Sequence, residues 1–434
     1  MKLKALRIDD HPTLGTVDIH WETGKDMAGL LSGASPLLML VGENGSGKTT
    51  LLTTLGTIFW DLFRRSSASF AYRLAYEVGG RNVIVEAKEA GAAFNTLFPS
   101  KGPATEPPLP KRFYAMTSGD ERVWNVGEDA DDESRGRWLF LKRTNQPLLT
   151  LAALLDHCKQ PKGPFGGILG MARISHLHGF SLTFPPREEP THFRVSDLME
   201  GLRRSALRCV VTPAGEHLYF QRPSKPEEWA DSILDRRPAT HMVEELLTLQ
   251  AAGSMHLPTV EILLAVESGG LRRFSDLSDG ERSFLGGMAM VALVREKDAL
   301  VLLDEPEVHY NDSWKAHLVA QIHKLTAQSG CQVVMTSHSS ITLSDVPSEM
   351  VRVLRNSDSD GVFGEEPALQ TLAADPSDIM IHVFGTKSRT GDFAASSMDR
   401  IITKGSKKKL EELIRLLGPG YWRYRAQKEL ASRR

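Results

Sequence analysis

The sequence predicts an α/β fold, in which a parallel sheet covered on both faces meets a set of antiparallel strands. Three observations predict it. Leu37 to Val41 is a short, continuously apolar run, the pattern of a strand buried on both sides, and Ala299 to Leu303 and Cys331 to Met335 read as further buried strands. The first of them passes through a glycine-rich loop into Thr49 to Arg65, where Leu51, Leu52, Leu55, Ile58, Phe59, Leu62 and Phe63 recur at a helical period. Lys2 to Arg7 and Val17 to Trp21 alternate instead, as strands with one solvated face do.

The remaining elements follow along the chain. Asp9-Asp-His-Pro12 supplies turn chemistry between the first two strands, and Gly79-Gly80 sits between Phe70 to Val78 and Asn82 to Ala87, a hairpin. Pro99 to Pro110 is rich in proline and glycine, and Arg112 to Met116 reads as the next strand. Helical segments at Leu148 to His157, Val195 to Leu207 and Met242 to Ala251 are mixed with short strand-like pieces. Arg282 to Val294 looks helical, and Ser406 to Leu417 reads as an amphipathic helix begun by a serine cap, with Lys407 to Lys409 on its solvated side. The organisation expected is an N-terminal lobe over 1–125, a mixed, mainly helical insertion over 126–262, a second lobe over 263–370 and a helical extension over 371–434. No repeat of 20 to 50 residues and no long heptad run is visible.

Composition sets outer bounds. A chain of 434 residues with 41% hydrophobic and 24% charged residues can bury a large core and is ordinary for a globular protein. A net charge of -2 gives no global attraction to nucleic acid or anionic lipid. Cys158, Cys209 and Cys331 match no metal spacing and read as buried small hydrophobes in a reducing cytosol. With no signal core at the N-terminus and no apolar run of membrane length, a cytoplasmic protein without a membrane partner is expected.

The loop Gly42-Glu43-Asn44-Gly45-Ser46-Gly47-Lys48-Thr49-Thr50 fits Gly-x-x-x-x-Gly-Lys-Thr between a strand and a helix, the P-loop pattern. Glycines let successive N-H groups curl around phosphate oxygens, and the helix N-terminus adds partial positive charge. Lys48 can reach the β- and γ-phosphates of ATP, and the Thr49 hydroxyl can ligate Mg²⁺. Downstream, Asp304 and Glu305 end an apolar strand. The first can hold the metal, and the second can orient or deprotonate the attacking water. His338 ends another buried strand, where it can contact the γ-phosphate.

Leu277-Ser278-Asp279-Gly280-Glu281, taken with these parts in this order, resembles the ATP-binding cassette superfamily, whose signature reads Leu-Ser-Gly-Gly-Gln. The resemblance covers roughly 1–60 and 270–345. It implies that Ser278 and the Gly280 backbone of one copy close over the ATP held by the P-loop of another, in a homo-oligomer of at least two copies. Asp279 and Glu281 depart from that signature and put acids near phosphate unless they turn away. Tyr114-Ala-Met-Thr-Ser-Gly119, where no glutamine is found, either takes the place of the segment that senses the metal or is an ordinary strand exit.

Asp304-Glu-Pro-Glu-Val-His309 and Thr336-Ser-His-Ser-Ser340 are similar to forms in the OLD-like ATPases, a group that includes ATPase subunits of anti-phage systems such as Septu and PARIS. That resemblance implies a slow ATPase acting as sensor and regulator of a separately encoded effector protein, with a phage-derived trigger. The alternative is a DNA-maintenance ATPase of the RecF or SMC kind that clamps nucleic acid, for which Arg203-Arg204, Arg272-Arg273 and the tail Gly418 to Arg425 would have to gather. The tail itself reads either as a stacking surface or as a docking segment. Asp358-Ser-Asp360 reads as a solvated hairpin tip rather than a metal site, and His176 and His178 lack a nearby third ligand for zinc. His309 is placed either at the dimer seam or in packing.

Overall fold

Strands buried on both faces need a sheet sandwiched between two cores, and the chain builds one. The computed structural model describes residues 1–21, 37–98, 102–104, 106–119, 121, 124, 138–186, 193–251, 256–294, 296–327, 329–357, 361–386 and 390–433. Its strands in chain order are β1 (Lys2–His11), β2 (Gly15–His20), β3 (Leu37–Gly42), β4 (Ala71–Val78), β5 (Arg81–Ala87), β6 (Asn95–Phe98), β7 (Gly102–Ala104), β8 (Phe113–Thr117) and β9 (Trp138–Leu141). Then follow β10 (Ile174–Phe184), β11 (Arg208–Thr212), β12 (Gly215–Gln221), β13 (Thr259–Val266), β14 (Leu271–Arg273), β15 (Leu300–Asp304), β16 (Gln332–Thr336), β17 (Val351–Ser357) and β18 (Gly361–Glu365).

The larger sheet has thirteen strands in the order β7-β6-β5-β4-β1-β2-β18-β17-β3-β16-β15-β8-β9. From β9 to β17 every neighbouring pair is parallel. From β2 outward through β1, β4, β5, β6 and β7 every pair is antiparallel. Alternate residues of the parallel strands enter opposite cores, as the two-residue period of a strand requires. Leu38 and Leu40 of β3 and Leu300 and Leu302 of β15 pack with the helix Lys48–Arg64. Leu37, Met39, Val41, Val301 and Leu303 pack on the other side, with the helices Gln146–Lys159 and Asp279–Leu293. The mixed α/β class with an antiparallel extension is therefore the one adopted.

The second sheet is antiparallel, with the order β11-β12-β10-β13-β14. Its inward residues Phe180, Leu182, Leu218, Phe220, Ile262 and Leu264 join the core beneath the parallel strands. The described residues of 138–262 therefore share a core with the parallel sheet. They contain more strand than the apolar pattern suggests: β10 is 11 residues long, and its register shifts twice, between Ile174 and His176 and between Leu177 and Gly179. Serine, histidine and glycine at those points interrupt the apolar alternation that a sequence reading relies on.

Helix limits move for local reasons. The helix after Leu277 begins at Asp279 rather than Arg282, because Ser278 caps it. Lys407–Leu416 has the expected Ser406 cap, its hydroxyl accepting from Lys409 N at 3.4 Å. With Asp392–Lys404 and Tyr421–Ser432 it forms a trio around a small core of Ile402, Leu413 and Ala426. Cys158 and Cys331 are buried, but Cys209 is exposed, because β11 is an edge strand with neither face covered. All three thiols are free. Among the described residues no helix is long and apolar enough to cross a membrane.

Phe284 ties Asp279–Leu293 to the helix Asp312–Thr326. It is fully buried, stacked on Trp314 with centroids 4.6 Å apart and edge-on to Tyr310 at 5.3 Å. Phe284→Ala is expected to cost about 3–5 kcal/mol through lost burial and a residual cavity. Chemical denaturation of parent and variant measures it, and a loss near zero would mean that these helices are held by something else.

Candidate functional site

Parallel strands that end level bring their C-terminal residues together, and open α/β sheets bind ligands at that edge. Asp304 at the end of β15 lies opposite Thr117 of β8 on one side and Thr336 of β16 on the other. Thr336 is in turn opposite Leu40 of β3, just before the glycine-rich loop. Asp304 is only 3% exposed, so its charge needs hydrogen-bond donors close by. Three threonines supply them. Thr336 Oγ1 donates to Oδ1 at 2.7 Å, Thr117 Oγ1 to Oδ2 at 2.9 Å, and Thr49 Oγ1 reaches both oxygens at 3.0 Å. Thr336 Oγ1 also accepts from Glu305 N at 2.9 Å, which ties the next residue to the same knot.

Glu305 leaves the strand with φ 48°, in the left-handed region that non-glycine residues rarely adopt. That turn swings its carboxylate toward His338, whose Nε2 is 2.9 Å from Glu305 Oε1. The His338 hydrogen bond is the main cause that lowers the Glu305 pKa, with burial opposing it and Lys48 adding to it. The Lys48 amine donates to the carbonyls of Gly42 at 3.2 Å and Glu43 at 2.9 Å. Burial lowers its pKa, against the attraction of Glu305 and Asp304. Gly47 has φ 88°, and a Cβ there would meet Leu14 Cδ2 at 2.6 Å, so the loop needs glycine for both angle and space.

Asn44, Gly45, Gly47, Lys48, Thr49, Thr50, Glu305 and His338 surround a cavity of about 260 Å³, with Thr13, Leu14, Asn356 and Val362 on its remaining wall. Gly42, Glu43 and Ser46 belong to the same loop, and Glu43, Ser46 and Val383 line an adjoining hollow of about 300 Å³. The Ser46 hydroxyl is buried and has no protein partner. The turn bearing Thr13 and Leu14 is held by His11, whose Nδ1 accepts from both backbone N-H groups at 3.1 and 3.2 Å. Its Nε2 therefore carries the proton and can donate to Thr54 Oγ1, 3.2 Å away.

Ser278 and Gly280 do not line this cavity. Ser278 is the N-cap of Asp279–Leu293 in a complete capping box: its hydroxyl accepts from Glu281 N at 3.2 Å, and Glu281 Oε2 accepts from Ser278 N at 2.8 Å. Glu281 also faces Arg272 at 3.4 Å, and Asp279 pairs with Arg282. The two acids that depart from the signature are thus engaged locally. Gly280 lies under the backbone of His309, where a Cβ would stand 2.5 Å from the carbonyl oxygen; the His309 side chain is exposed.

Thr117, Leu14 and Asn356 were not singled out by sequence. For Thr117 the signal is the stretch Tyr114 to Gly119, a candidate metal-sensing segment or strand exit, and the residue at the strand end is what reaches Asp304. Asp358 to Asp360 lie outside the described residues, and the flanking Ser357 and Gly361 pair across the β17–β18 hairpin. His176 bonds Ser175 Oγ at 3.0 Å, and among the described residues no three His, Cys, Asp or Glu side chains gather as a metal site. Arg203 is bound by both oxygens of Glu216, at 2.6 and 2.7 Å, and Arg425 by Asp399 at 2.6 Å.

Residues 185–345 match the family model described as "AAA domain, putative AbiEii toxin, Type IV TA system", a span that contains Ser278, Asp304, Glu305 and His338 but not the glycine-rich loop. No curated protein sequence matches the chain. Among solved structures, the SMC head bound to the C-winged helix domain of ScpA aligns at 11% identity, with 85% of this chain and 99% of that one covered and a TM-score of 0.41. The SMC head domain from Thermotoga maritima aligns at 12% identity over 85% and 100%, with a TM-score of 0.36. The Smc head with an extended coiled coil, bound to the C-terminal domain of ScpA derived from Pyrococcus furiosus, gives 12% over 84% and 96%, with a TM-score of 0.37.

Thr336 is fully buried and serves Asp304 and Glu305 at once. Thr336→Val keeps its shape but removes the hydroxyl, so the stability loss expected is about 1–3 kcal/mol, that of leaving buried polar groups unpaired. Equal denaturation midpoints for parent and variant would show that the knot around Asp304 does not need this threonine.

Proposed function

We propose that the chain binds and hydrolyses ATP, assembles as a nucleotide-sandwiched dimer or higher oligomer, and acts as the sensor and regulator of a separately encoded effector in anti-phage defence. One observation carries the ATPase part: Lys48, Thr49, Glu305 and His338 meet around a single cavity, with Asp304 fixed behind Thr49. The glycine-rich loop and the first turn of Lys48–Arg64 would cradle the phosphates. Lys48, which rests on the loop carbonyls, would release them to pair with a phosphate oxygen.

Thr49 and Asp304 offer Mg²⁺ the oxygen donors that a hard cation takes, 3.0 Å apart at the end of the loop. When bound there the ion would neutralise phosphate charge. Glu305, whose pKa the His338 hydrogen bond lowers, would hold and deprotonate a water, and His338 would steady both the acid and the terminal phosphate. The position of Ser278 and Gly280 away from the cavity supports a site completed by a second copy, because a capped helix N-terminus is a weak anion binder until another surface encloses the ligand. The family model matched over 185–345 carries the words toxin and TA system in its description, which agrees with a regulated effector pair. The engagement of Arg203 and Arg425 by acids weakens the alternative of a nucleic-acid clamp.

Lys48→Ala is expected to abolish ATP binding in a fluorescent-nucleotide titration, whereas undiminished affinity would remove the P-loop assignment. Glu305→Gln should still bind ATP but slow hydrolysis by at least about 100-fold, the range typical of a lost general base. Light scattering should find this variant held as a dimer or larger assembly in ATP, and monomers at every nucleotide concentration would rule out the sandwich. For the defence role, cells carrying the gene with its neighbours are challenged with phage. Protection that Lys48→Ala removes is expected, and equal plaque counts with and without the genes would leave an ATPase with another purpose.

A further inference from the structure

Glu307 is a charged residue type in the wrong place for stability. Its side chain is 3% exposed, and Oε2 has no hydrogen-bond partner. An unpaired buried oxygen of this kind is a cost to folding. Something other than folding explains the acid.

Its other oxygen gives the reason. Glu307 Oε1 accepts from the Ser337 hydroxyl and from His338 N, the latter at 3.3 Å. Ser337 Oγ accepts in turn from Ser339 N at 3.0 Å, so the whole segment that presents His338 is pinned at this point. On its own side, Glu307 belongs to a tight turn in which Val308 N donates to Glu305 O at 3.3 Å and Tyr310 N to Glu307 O at 2.9 Å. Glu305, in its left-handed conformation, starts that turn and closes the loop through its 2.9 Å pairing with His338. One buried side chain therefore joins the backbone behind the candidate base to the backbone behind the histidine. Burial raises the Glu307 pKa, while Ser337 and the backbone bonds oppose the rise.

We propose that Glu307 is a positioning residue for hydrolysis: it fixes the His338 segment against the Glu305 turn and so sets the geometry of the Glu305–His338 pair. The proposal rests on the ATPase reading above. Because it acts through another residue, its removal leaves the phosphate cradle alone and moves only the hydrolytic pair.

The test compares Glu307→Met, which removes both hydrogen bonds at nearly constant volume, with Glu307→Gln, which keeps an acceptor oxygen. Glu307→Met is expected to bind ATP with parental affinity but to lose kcat by about 10- to 100-fold, the scale for a catalytic group displaced by about 1 Å, with a lower melting temperature because Ser337 Oγ and His338 N lose their acceptor. Glu307→Gln should restore kcat to within about threefold. The double variant Glu307→Met/His338→Ala should be no slower than His338→Ala alone, as for two residues acting in one unit. Weaker ATP binding in Glu307→Met, or kcat effects that simply add, would overturn the proposal and make Glu307 structural. A readout independent of turnover separates this result from failure of the ATPase reading: the ¹⁵N signal of the His338 ring, assigned by its loss in His338→Ala. It should shift in Glu307→Met and return to the parental position in Glu307→Gln, and an unmoved signal would sink the idea even in an inactive chain.

Discussion

Everything at the edge of the parallel sheet depends on one buried carboxylate being satisfied. Asp304 is almost wholly buried, and its charge is tolerable because hydroxyls from β8, β16 and the helix after β3 converge on it. That convergence requires three strands to end in register, since a slip of one residue would turn each threonine to the opposite face. Every residue of β3, β15 and β16 is buried, so a slip would have to repack the close-packed cores on both faces at once. Charge satisfaction at the strand ends and hydrophobic burial along the strands are thus two views of one constraint. The helix Lys48–Arg64 is drawn into it through Thr49, which links the glycine-rich loop to β15 across 255 positions of sequence.

How legible this was in the sequence follows the range of the interaction concerned. The glycine-rich loop, Asp304, Glu305 and His338 stood out because each ends a run whose apolar pattern is local, and the same locality made β3, β15 and β16 and the helix after the loop readable. Thr117 and Thr336 carry comparable weight at the site but are ordinary residues for a strand end, and only the pairing of β8, β15 and β16 reveals what they face. Glu307 was visible only as part of a motif, since its burial depends on a segment thirty residues away. The second sheet was understated because β10 bends at polar and glycine residues, and because β11 and β14 are edge strands with exposed side chains that carry little periodic signal. Cys209 was misjudged for the same reason: composition suggests that cysteines hide, whereas an edge strand has nothing to hide them.

The acids in Leu277-Ser-Asp-Gly-Glu281 show how a departure from a motif can be absorbed by local structure. Placed next to a phosphate they would repel it, but Glu281 closes a capping box on Ser278 and Asp279 turns to Arg282. The same carboxylate that stabilises the helix start therefore occupies the Ser278 hydroxyl, at 2.9 Å. Any anion approaching Ser278 meets a group already engaged, so binding there exchanges one hydrogen-bond partner for another and its net gain is small.

The close approach of Gly280 to His309 has a wider effect. With no side chain between them, the start of Asp279–Leu293 and the turn that begins at Glu305 touch backbone to backbone, a contact too hard to compress and too short to slide. In a two-fold assembly of the kind proposed, that turn would attend one nucleotide and that helix start the other. A displacement of either element would then be passed straight to the other, so the backbone contact would put the two bound nucleotides in mechanical touch.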